Sequence, residues 1–349
     1  DPLDKTDFID RRISTTIEPV QAVAKYHRVV WNEDASTTAI IGFTPASDSD
    51  IFYIKYGQTT DETQWTAKSA LEKEVFDYTL TSYFVRMDGL QADTPFYYRV
   101  CDGVNCGDRY WFKTAPNDVN SSFVVVAGGD TILNPSRRIR GNELIAKIRP
   151  LFVMHGGDFT NNNSATEISE FLGDWVNSYS NDSIDGTEYK RIYPLAPTHG
   201  NHEDNNFYTM CGVFGLDSDN DGTCSTHDTY GAFNVSPLLR VYTFNTQFAQ
   251  SGRAVDGAIM SAWINDDMTT KGRETQWRIA QYHRPMFSHA SGKPDNQVLF
   301  DWWAKLFYDE AMNIVVESDS HVAKTSKIVK PLDGEFDFVE APLGGTIYV

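Results

Sequence analysis

The chain has 349 residues, of which 41% are hydrophobic and 22% are charged, enough for a sizeable core and for about two domains. Its net charge of −18 argues against a nucleic-acid partner or an anionic membrane surface, since both need clustered positive charge. No apolar run approaches the roughly 18 residues that a membrane-spanning helix needs, and Asp1 is expected to begin a processed chain.

Residues 1–118 carry strand signals almost without interruption. β-Branched and aromatic residues cluster in short segments that end at glycine or turn residues. The predicted strands are residues 37–43, 51–57, 83–88, 96–100 and 109–113. Short strands at this spacing, without a long helical pattern, predict a small all-β sandwich that ends in a linker at residues 115–118.

From residue 119 onward, buried strands alternate with helices. Residues 123–127 and 151–154 are continuous apolar runs, which are typical of strands buried on both faces. Between them, residues 142–148 predict a helix, so this segment is a β-α-β unit. Further strands are predicted at residues 240–244, 277–282 and 313–316, and a further helix at 300–312. An α/β domain is therefore predicted for residues 119–349, with an acidic loop insertion at 205–230.

Four cysteines fall into two local pairs, Cys101 with Cys106 and Cys211 with Cys224. Neither pair has the C-x-x-C spacing of a zinc or redox site. The first pair flanks the end of a predicted hairpin, where a disulfide is plausible, and the second would tie the acidic insertion. Two disulfides on an acidic chain indicate a secreted or periplasmic protein. The alternative is four free thiols in a cytosolic protein.

Polar side chains follow the predicted buried strands at residues 123–127, 151–154, 277–282 and 313–316, and a further cluster follows residues 194–198. The clusters are Gly128-Gly129-Asp130, His155-Gly156-Gly157-Asp158, His199-Gly200-Asn201-His202-Glu203, His283-Arg284-Pro285 and Glu317-Ser318-Asp319-Ser320-His321. Strand carboxyl ends form the ligand crevice of open α/β sheets. Aspartate, asparagine and histidine that converge there are natural ligands of a hard or borderline cation.

At these clusters the sequence resembles the calcineurin-like metallophosphoesterases, and most closely the purple acid phosphatase branch. Four of the five motif regions of that family occur in order, at Gly129-Asp130, Gly157-Asp158, Gly200-Asn201-His202-Glu203 and His283-Arg284-Pro285. The first half is similar to the fibronectin-type domain of that branch through Tyr97-Tyr98-Arg99-Val100 and Phe112-Lys113-Thr114-Ala115-Pro116. The resemblance implies a mixed fold, in which an all-β fibronectin/Ig-like sandwich precedes a four-layer α-β-β-α metallophosphoesterase domain.

The resemblance also implies a centre with two metal ions, expected to be iron, zinc or manganese. Asp158 would bridge the two ions. Asp130 and His321 would hold the first ion, and Asn201 and His283 the second. His202 would contact the phosphoryl group or assist the leaving group rather than bind metal.

Three departures from the family pattern bear on this centre. Ile132, which cannot bind a metal, stands at the position of the glycine in the first motif of the family. The tyrosine that colours the family is replaced by Asn161, so we expect a protein that is not purple. Asp319 stands where the family has a histidine ligand of the second ion, and a carboxylate there adds negative charge and favours harder cations. A site with one ion, or with a weakened second ion, stays open. The expected ligand set is Asp130, Asp158, Asn201, His283, Asp319 and His321.

A two-metal centre with ions about 3.5–4 Å apart lowers the pKa of a bound water and clamps phosphoryl oxygens for in-line attack on phosphorus. His202 would stabilise or protonate the leaving group. Arg284 and His289 are candidate phosphate contacts, and Asn161 and His155 lie close enough in sequence to support the ligands.

These features predict a secreted metal-dependent phosphomonoesterase that acts on a small phosphorylated substrate. One alternative is a phosphodiesterase, or a hydrolase of another phosphorylated compound, on the same site. An alternative of another class is an inactive relative that binds a metal, an anion or an adhesion partner.

A second metal loop is predicted in the acidic insertion. Residues 217–228 fit the pattern D-x-D-x-D-G with an aspartate at loop position 12. One structural calcium ion would stabilise this surface loop, whereas the alternative is a solvated acidic turn without metal. The candidate oxygen donors are Asp217, Asp219, Asp221, Thr223 and Asp228.

Overall fold

The structure is a computed structural model that describes residues 22–132, 134–180, 183–184, 187–188, 190–250 and 252–349. The predicted start at Asp1 and the first 21 residues of the predicted N-terminal domain lie outside the described residues. The predicted mixed class is confirmed, because a β-sandwich precedes an α/β domain. Both predicted disulfides are present, between Cys101 and Cys106 and between Cys211 and Cys224.

The first half forms two antiparallel layers. Its strands are β1 (Ala24–Val30), β2 (Ala39–Pro45), β3 (Tyr53–Gly57), β4 (Thr66–Ser69), β5 (Glu72–Phe76), β6 (Leu80–Met87), β7 (Pro95–Cys101) and β8 (Tyr110–Lys113). One layer has the order β5-β6-β2-β1 and the other β4-β3-β7-β8. Alternate residues of each strand face inward, so Ile41, Phe43, Ile54 and Phe112 meet in one buried core.

The second half alternates strands with helices. Its strands are β9 (Val125–Gly128), β10 (Phe152–His155), β11 (Ser183–Ile184), β12 (Thr187–Glu188), β13 (Pro194–Pro197), β14 (Gly231–Ser236), β15 (Leu239–Phe244), β16 (Trp277–Tyr282), β17 (Ile314–Glu317), β18 (Val329–Pro331), β19 (Phe338–Glu340) and β20 (Ile347–Tyr348). Its helices are α1 (Pro135–Ile148), α2 (Ala165–Ser180), α3 (Ala254–Thr269), α4 (Gln297–Leu299) and α5 (Lys305–Asp309). A π-helical turn at Phe300–Ala304 joins α4 to α5.

These elements stack in four layers. Val153 of β10 packs in the cluster that contains the apolar face of α2, whereas Phe152 and Met154 pack in the cluster shared with β14 and β15. The opposite face of the second sheet carries Tyr242, which shares a third cluster with Met260 of α3. Helices, sheet, sheet and helices therefore follow one another, with apolar clusters between successive layers.

Both sheets direct their strand ends to one place. β9, β10 and β13 are parallel neighbours, as are β15, β16, β17 and β20. Gln281 of β16 joins the sheets, because its Oε1 accepts a hydrogen bond from Thr198 Oγ1 at 3.2 Å and its Nε2 donates to Gly128 O at 3.4 Å. The loops after five parallel strands consequently meet over the seam between the sheets.

The sandwich and the α/β half share a sheet. β1 pairs in parallel with β13, with Val29 opposite Pro194 and Val30 opposite Leu195. One seven-stranded sheet thus runs in the order β5-β6-β2-β1-β13-β10-β9 across the boundary expected at residue 118. The position of that boundary stays a prediction.

Three buried histidines make the stability of this fold depend on pH. Burial lowers the pKa of His27, His155 and His199 to about 3. Histidine in an unfolded chain titrates near 6.5, so between those values the unfolded state binds protons that the folded state does not. We expect the contribution of these three histidines to the free energy of unfolding, measured with urea, to be fully present above pH 6.5 and to be lost as pH drops toward 3.

The substitution His27→Phe tests this origin. Removing one such histidine should reduce the slope of the unfolding free energy against pH by up to about 1.4 kcal/mol per pH unit between pH 3 and 6.5. A slope that His27→Phe leaves unchanged would contradict the assignment.

Candidate metal centre

The candidate centre lies on the loops that follow β9, β10, β13, β16 and β17. Each loop contributes at least one of the predicted ligands, which are Asp130, Asp158, Asn201, His283, Asp319 and His321. The tightest group is Asp130, Asp158 and His283, whose ligand atoms all lie within 4.8 Å of one another. The structure therefore brings together residues as far apart in the chain as Asp130 and Asp319, which are separated by 189 positions.

His283 presents one ring nitrogen to this group. Its Nδ1 lies 2.7 Å from Gly156 O, and because a carbonyl oxygen only accepts, Nδ1 carries the proton. Its Nε2 is left 3.2 Å from Asp158 Oδ1. Burial disfavours the charged ring, but the hydrogen bond to Asp158 and the charges of Asp158 and Asp130 raise the pKa of His283 to about 9. The two carboxylates thus favour a positive charge beside His283 Nε2.

Separations among the other donors match a coordination shell. His283 Nε2 lies 3.1 Å from the Asn201 side-chain amide and 3.6 Å from Asp319 Oδ1. Asp130 Oδ1 lies 3.3 Å from His321 Nε2. Ligands at about 2.0–2.2 Å from one cation are themselves about 2.8–3.6 Å apart, so these donors suit metal binding.

The surroundings of Asp130 also suit metal binding. Its Oδ1 is buried and accepts no hydrogen bond, while its Oδ2 accepts one from Asp319 N at 2.9 Å. A buried carboxylate oxygen that accepts no hydrogen bond is costly unless a cation meets it.

Four of the predicted ligands have left-handed backbones. Asp130, Asp158, Asp319 and His321 have φ values of 55°, 54°, 60° and 55°. Non-glycine residues rarely adopt this region, and such strain concentrates at functional sites where the surroundings enforce it. The left-handed turn directly after each strand bends the chain so that the ligand stays at the sheet edge.

Glu203 holds two of these loops together. Its buried carboxylate accepts hydrogen bonds from Asp158 N at 2.8 Å, Phe159 N at 3.0 Å and Gly200 N at 2.9 Å. Burial and the charge of Asp158 raise its pKa to about 7, although the amide donors oppose this shift. Glu203 is the one residue of Gly200-Asn201-His202-Glu203 that buttresses the loops, and its place in that motif is the signal that points to it in the sequence.

Two glycines allow the same loops to touch. Gly157 has φ of 88°, and a Cβ there would lie 2.6 Å from Gly200 N. A Cβ on Gly200 would lie 2.3 Å from Asp158 Oδ1. A side chain at either position would push the loop after β10 away from the loop after β13.

His202 stands beside the ligands rather than among them. Its backbone N–H donates to Asp158 Oδ1 at 2.9 Å, and its Nδ1 lies 2.5 Å from the carbonyl oxygen of Asn161. Nδ1 therefore carries a proton, and Nε2 is directed to the centre, 3.7 Å from Asp158 Oδ2. Asn161 acts on His202 through its backbone carbonyl.

The remaining predicted residues lie farther from the carboxylates. His155 is buried beneath the loop, stacked on Phe159 at 4.3 Å, with its Nε2 3.2 Å from Thr131 Oγ1. His289 is exposed and helps line a separate cavity of about 220 Å³. Within the described ranges, neither Arg284 nor His289 has a side-chain hydrogen bond or ion pair with a carboxylate of the centre. Their roles at the phosphate stay predictions.

The predicted calcium loop is partly assembled. Ligand oxygens of Asp217, Asp219 and Asp221 lie within 4.8 Å of one another. Asp217 accepts hydrogen bonds from Asp221 N at 3.1 Å and from Gly222 N at 3.2 Å, and Gly222 has φ of 74°. The loop thus has the tight turn that its sequence predicts.

The other two candidate donors of that loop are otherwise engaged. Both carboxylate oxygens of Asp228 accept backbone amides, from Ser218 at 2.8 Å and Ser225 at 2.7 Å. Thr223 donates its hydroxyl to Asp221 Oδ1 at 2.6 Å. The structure does not bring Asp228 into the cluster, so a calcium site here stays a prediction carried by three carboxylates.

Comparison with known families agrees with this geometry. Residues 24–114 match the family described as purple acid phosphatase, N-terminal domain, and residues 115–323 match the family described as calcineurin-like phosphoesterase. The second match covers more than half of the chain, so the protein belongs to the calcineurin-like phosphoesterase family. The N-terminal match confirms the resemblance to the purple acid phosphatase branch.

Solved structures show the same fold. A purple acid phosphatase from yellow lupin (Lupinus luteus) seeds has a TM-score of 0.66 at 14% identity, covering 94% of this chain and 64% of the lupin chain. PhoD has a TM-score of 0.65 at 12% identity, covering 94% of this chain and 77% of PhoD. This chain thus spans less than two thirds of the lupin enzyme. No curated protein matches it. Across the described part of the chain, no helix is both long and apolar enough to cross a membrane.

Glu203→Gln should loosen the centre, because an amide has one acceptor oxygen and cannot replace a carboxylate that accepts three hydrogen bonds. We expect the free energy of unfolding, measured with urea, to fall by about 1.5–3 kcal/mol. The exposed Glu335→Gln serves as the matched control. Equal unfolding midpoints for the two variants would refute the bracing role.

Calcium should stabilise the loop at residues 217–228 if its three carboxylates bind the ion. At calcium concentrations 100 times the Kd, the wild type should gain about 2.7 kcal/mol in thermal unfolding. Asp219→Asn should abolish that gain, and Asp88→Asn, at an exposed carboxylate in the sandwich, should keep it. A wild-type protein that calcium leaves unchanged would end the hypothesis.

Proposed function

We propose that this protein is a secreted or periplasmic metal-dependent phosphomonoesterase that acts on a small phosphorylated substrate. The observation that carries the proposal is the convergence of six oxygen and nitrogen donors from five loops, at separations of 3.1–3.6 Å between neighbours. Family membership gives the reaction class. The two disulfides support an oxidising compartment.

The donors divide into two sets around Asp158. Asp130 and His321 would hold one cation, and Asn201, His283 and Asp319 the other, with Asp158 shared. Three carboxylates and an amide favour hard ions such as Fe³⁺ or Mn²⁺. When bound, such ions neutralise phosphoryl oxygens and supply an activated water.

His202 is the proposed proton donor. The Asn161 carbonyl fixes its ring, so Nε2 stays at the edge of the centre while Asp158 remains available as a ligand. A proton on Nε2 would stabilise the phosphoryl group or pass to the leaving oxygen.

A cavity opens beside the first set of donors. It measures about 660 Å³ and includes Asp130 and His321 among its lining residues. Arg137 lines the same cavity and adds a positive charge that favours an anionic substrate, whereas the charge of Lys324 is offset by Glu317, whose carboxylate lies 2.5 Å away.

Asp158→Ala and His202→Ala should separate metal binding from turnover. The first variant should lose bound metal and hydrolysis of a chromogenic phosphomonoester together. The second should keep its metal while kcat falls by about 10²–10⁴-fold. Asp88→Ala, at an exposed carboxylate in the sandwich, should retain both and serves as the control.

Metal content by elemental analysis, with kinetics on a monoester and a diester, reads out these outcomes. Full activity in Asp158→Ala would reject the centre. Hydrolysis of the diester alone would assign a phosphodiesterase instead.

A further inference from the structure

A lysine that the sequence analysis did not single out reaches the centre. Lys293 Nζ donates to Asp319 Oδ1 at 2.7 Å. Asp319 is 7% exposed, whereas the Lys293 side chain is 36% exposed and enters from the solvent side. Of the lysines and arginines that the structure describes, only Lys293 has a nitrogen within 4.0 Å of the carboxylates of Asp130, Asp158 and Asp319.

The loop that carries Lys293 is closed by its own hydrogen bonds. Ser288 Oγ donates to Lys293 O at 2.8 Å, and Ser288 N donates to Asp295 Oδ1 at 2.8 Å. Asn296 N donates to Met286 O at 2.8 Å, which joins the two ends of the loop. Since the loop starts directly after His283, the lysine is positioned by the same strand end that positions that ligand.

The ammonium lies outside the ring of donors. Asp319 Oδ1 is 2.7 Å from Lys293 Nζ and 3.6 Å from His283 Nε2, so this oxygen stands between the lysine and the centre. Nζ lies more than 4.0 Å from the carboxylate of Asp158, whose oxygen is 3.2 Å from the same His283 nitrogen. Lys293 therefore does not take the place of a cation at the shared ligand, but it does offset one of the three carboxylate charges.

We propose that Lys293 and Asp319 act as one unit, in which Lys293 is a positioning residue that fixes the Asp319 carboxylate as a ligand and cancels its added charge. This inference rests on the proposed function. An anionic phosphate must approach a centre with three carboxylates, and a fixed ammonium beside one of them lowers the repulsion that it meets. The Lys293–Asp319 pair has no net charge, and neither does the neutral histidine that the family has at the position of Asp319. Replacing the pair by a histidine therefore tests the proposal.

A double-mutant cycle tests the unit through binding rather than turnover. The variants are Lys293→Met, Asp319→His and the two combined, each checked for an unchanged melting temperature. Bound Mn²⁺ is measured by equilibrium dialysis, and the Kd of inorganic phosphate for the Mn²⁺-loaded protein by calorimetry. Lys305→Met, at an exposed lysine of α5 paired with Asp309, is the matched control.

Coupling predicts distinct results for each variant. Lys293→Met should weaken phosphate binding about tenfold, because the ammonium that offsets the negative charge of Asp319 is lost. Asp319→His should weaken Mn²⁺ binding about tenfold or more, because an unpaired ammonium then faces the cations. The double variant should return to within about threefold of the wild type in both measurements. Lys293→Arg should keep phosphate binding close to the wild-type value.

Other outcomes overturn the inference. If the effects of the single changes multiply in the double variant, or if Lys293→Met behaves like Lys305→Met, Lys293 does not act with Asp319. If the wild type binds Mn²⁺ but either of these two results is found, the proposed function survives and only the coupling of Lys293 to Asp319 is rejected. A wild-type protein that binds no Mn²⁺ overturns both.

Discussion

The buried carboxylate of Glu203 is the interaction on which the rest of the centre depends. A buried charge is unfavourable unless hydrogen bonds compensate it, and here three backbone amides from two loops offset part of that cost. One of those amides belongs to Asp158, so the same contact stabilises the left-handed backbone of the shared ligand. A second amide belongs to Gly200, next to Asn201. The two loops are therefore fixed relative to each other, and so are the ligands Asp158 and Asn201 that they carry.

The second constraint is the alignment of the two sheets. Apolar side chains between them fix their spacing, and the polar contacts of Gln281 fix how far one sheet slides along the other. That alignment sets the distance from His283, on the second sheet, to Asp158, on the first. Short contacts such as 3.2 Å between their side chains are possible only because interiors pack densely and deform little.

Much of this arrangement follows from local sequence patterns. Apolar runs predicted β9 and β10, and the polar clusters after the parallel strands predicted a cation site, because strand ends of one sheet converge. The six individual donors were implied by the resemblance to the metallophosphoesterases. Helix α1 was placed too late, at residue 142. It begins at Pro135, where the Asn134 side chain caps Arg137 N, but its first turns are exposed and polar and so lack apolar periodicity. The single helix predicted at 300–312 is a helical segment from Gln297 to Asp309 with a π turn inside it.

Contacts between distant segments could not be predicted from local sequence patterns. Lys293 and Glu203 act through partners that only the tertiary fold brings near, and neither residue type is unusual by itself. Similarly, His289 lies near a strand end in the sequence, as the other candidate histidines do, but its side chain is exposed. The β1–β13 pairing joins residues more than 160 positions apart and has no local signature.

That pairing has a consequence for how the molecule can be divided. The two family matches meet at residues 114 and 115, yet a cut there would separate β1 from β13 and leave the edge of β13 without its neighbouring strand. Unpaired strand edges recruit strands of other chains and promote aggregation. The two segments are therefore poor interchangeable modules, and the sandwich serves the α/β half as a permanent cover for its exposed flank.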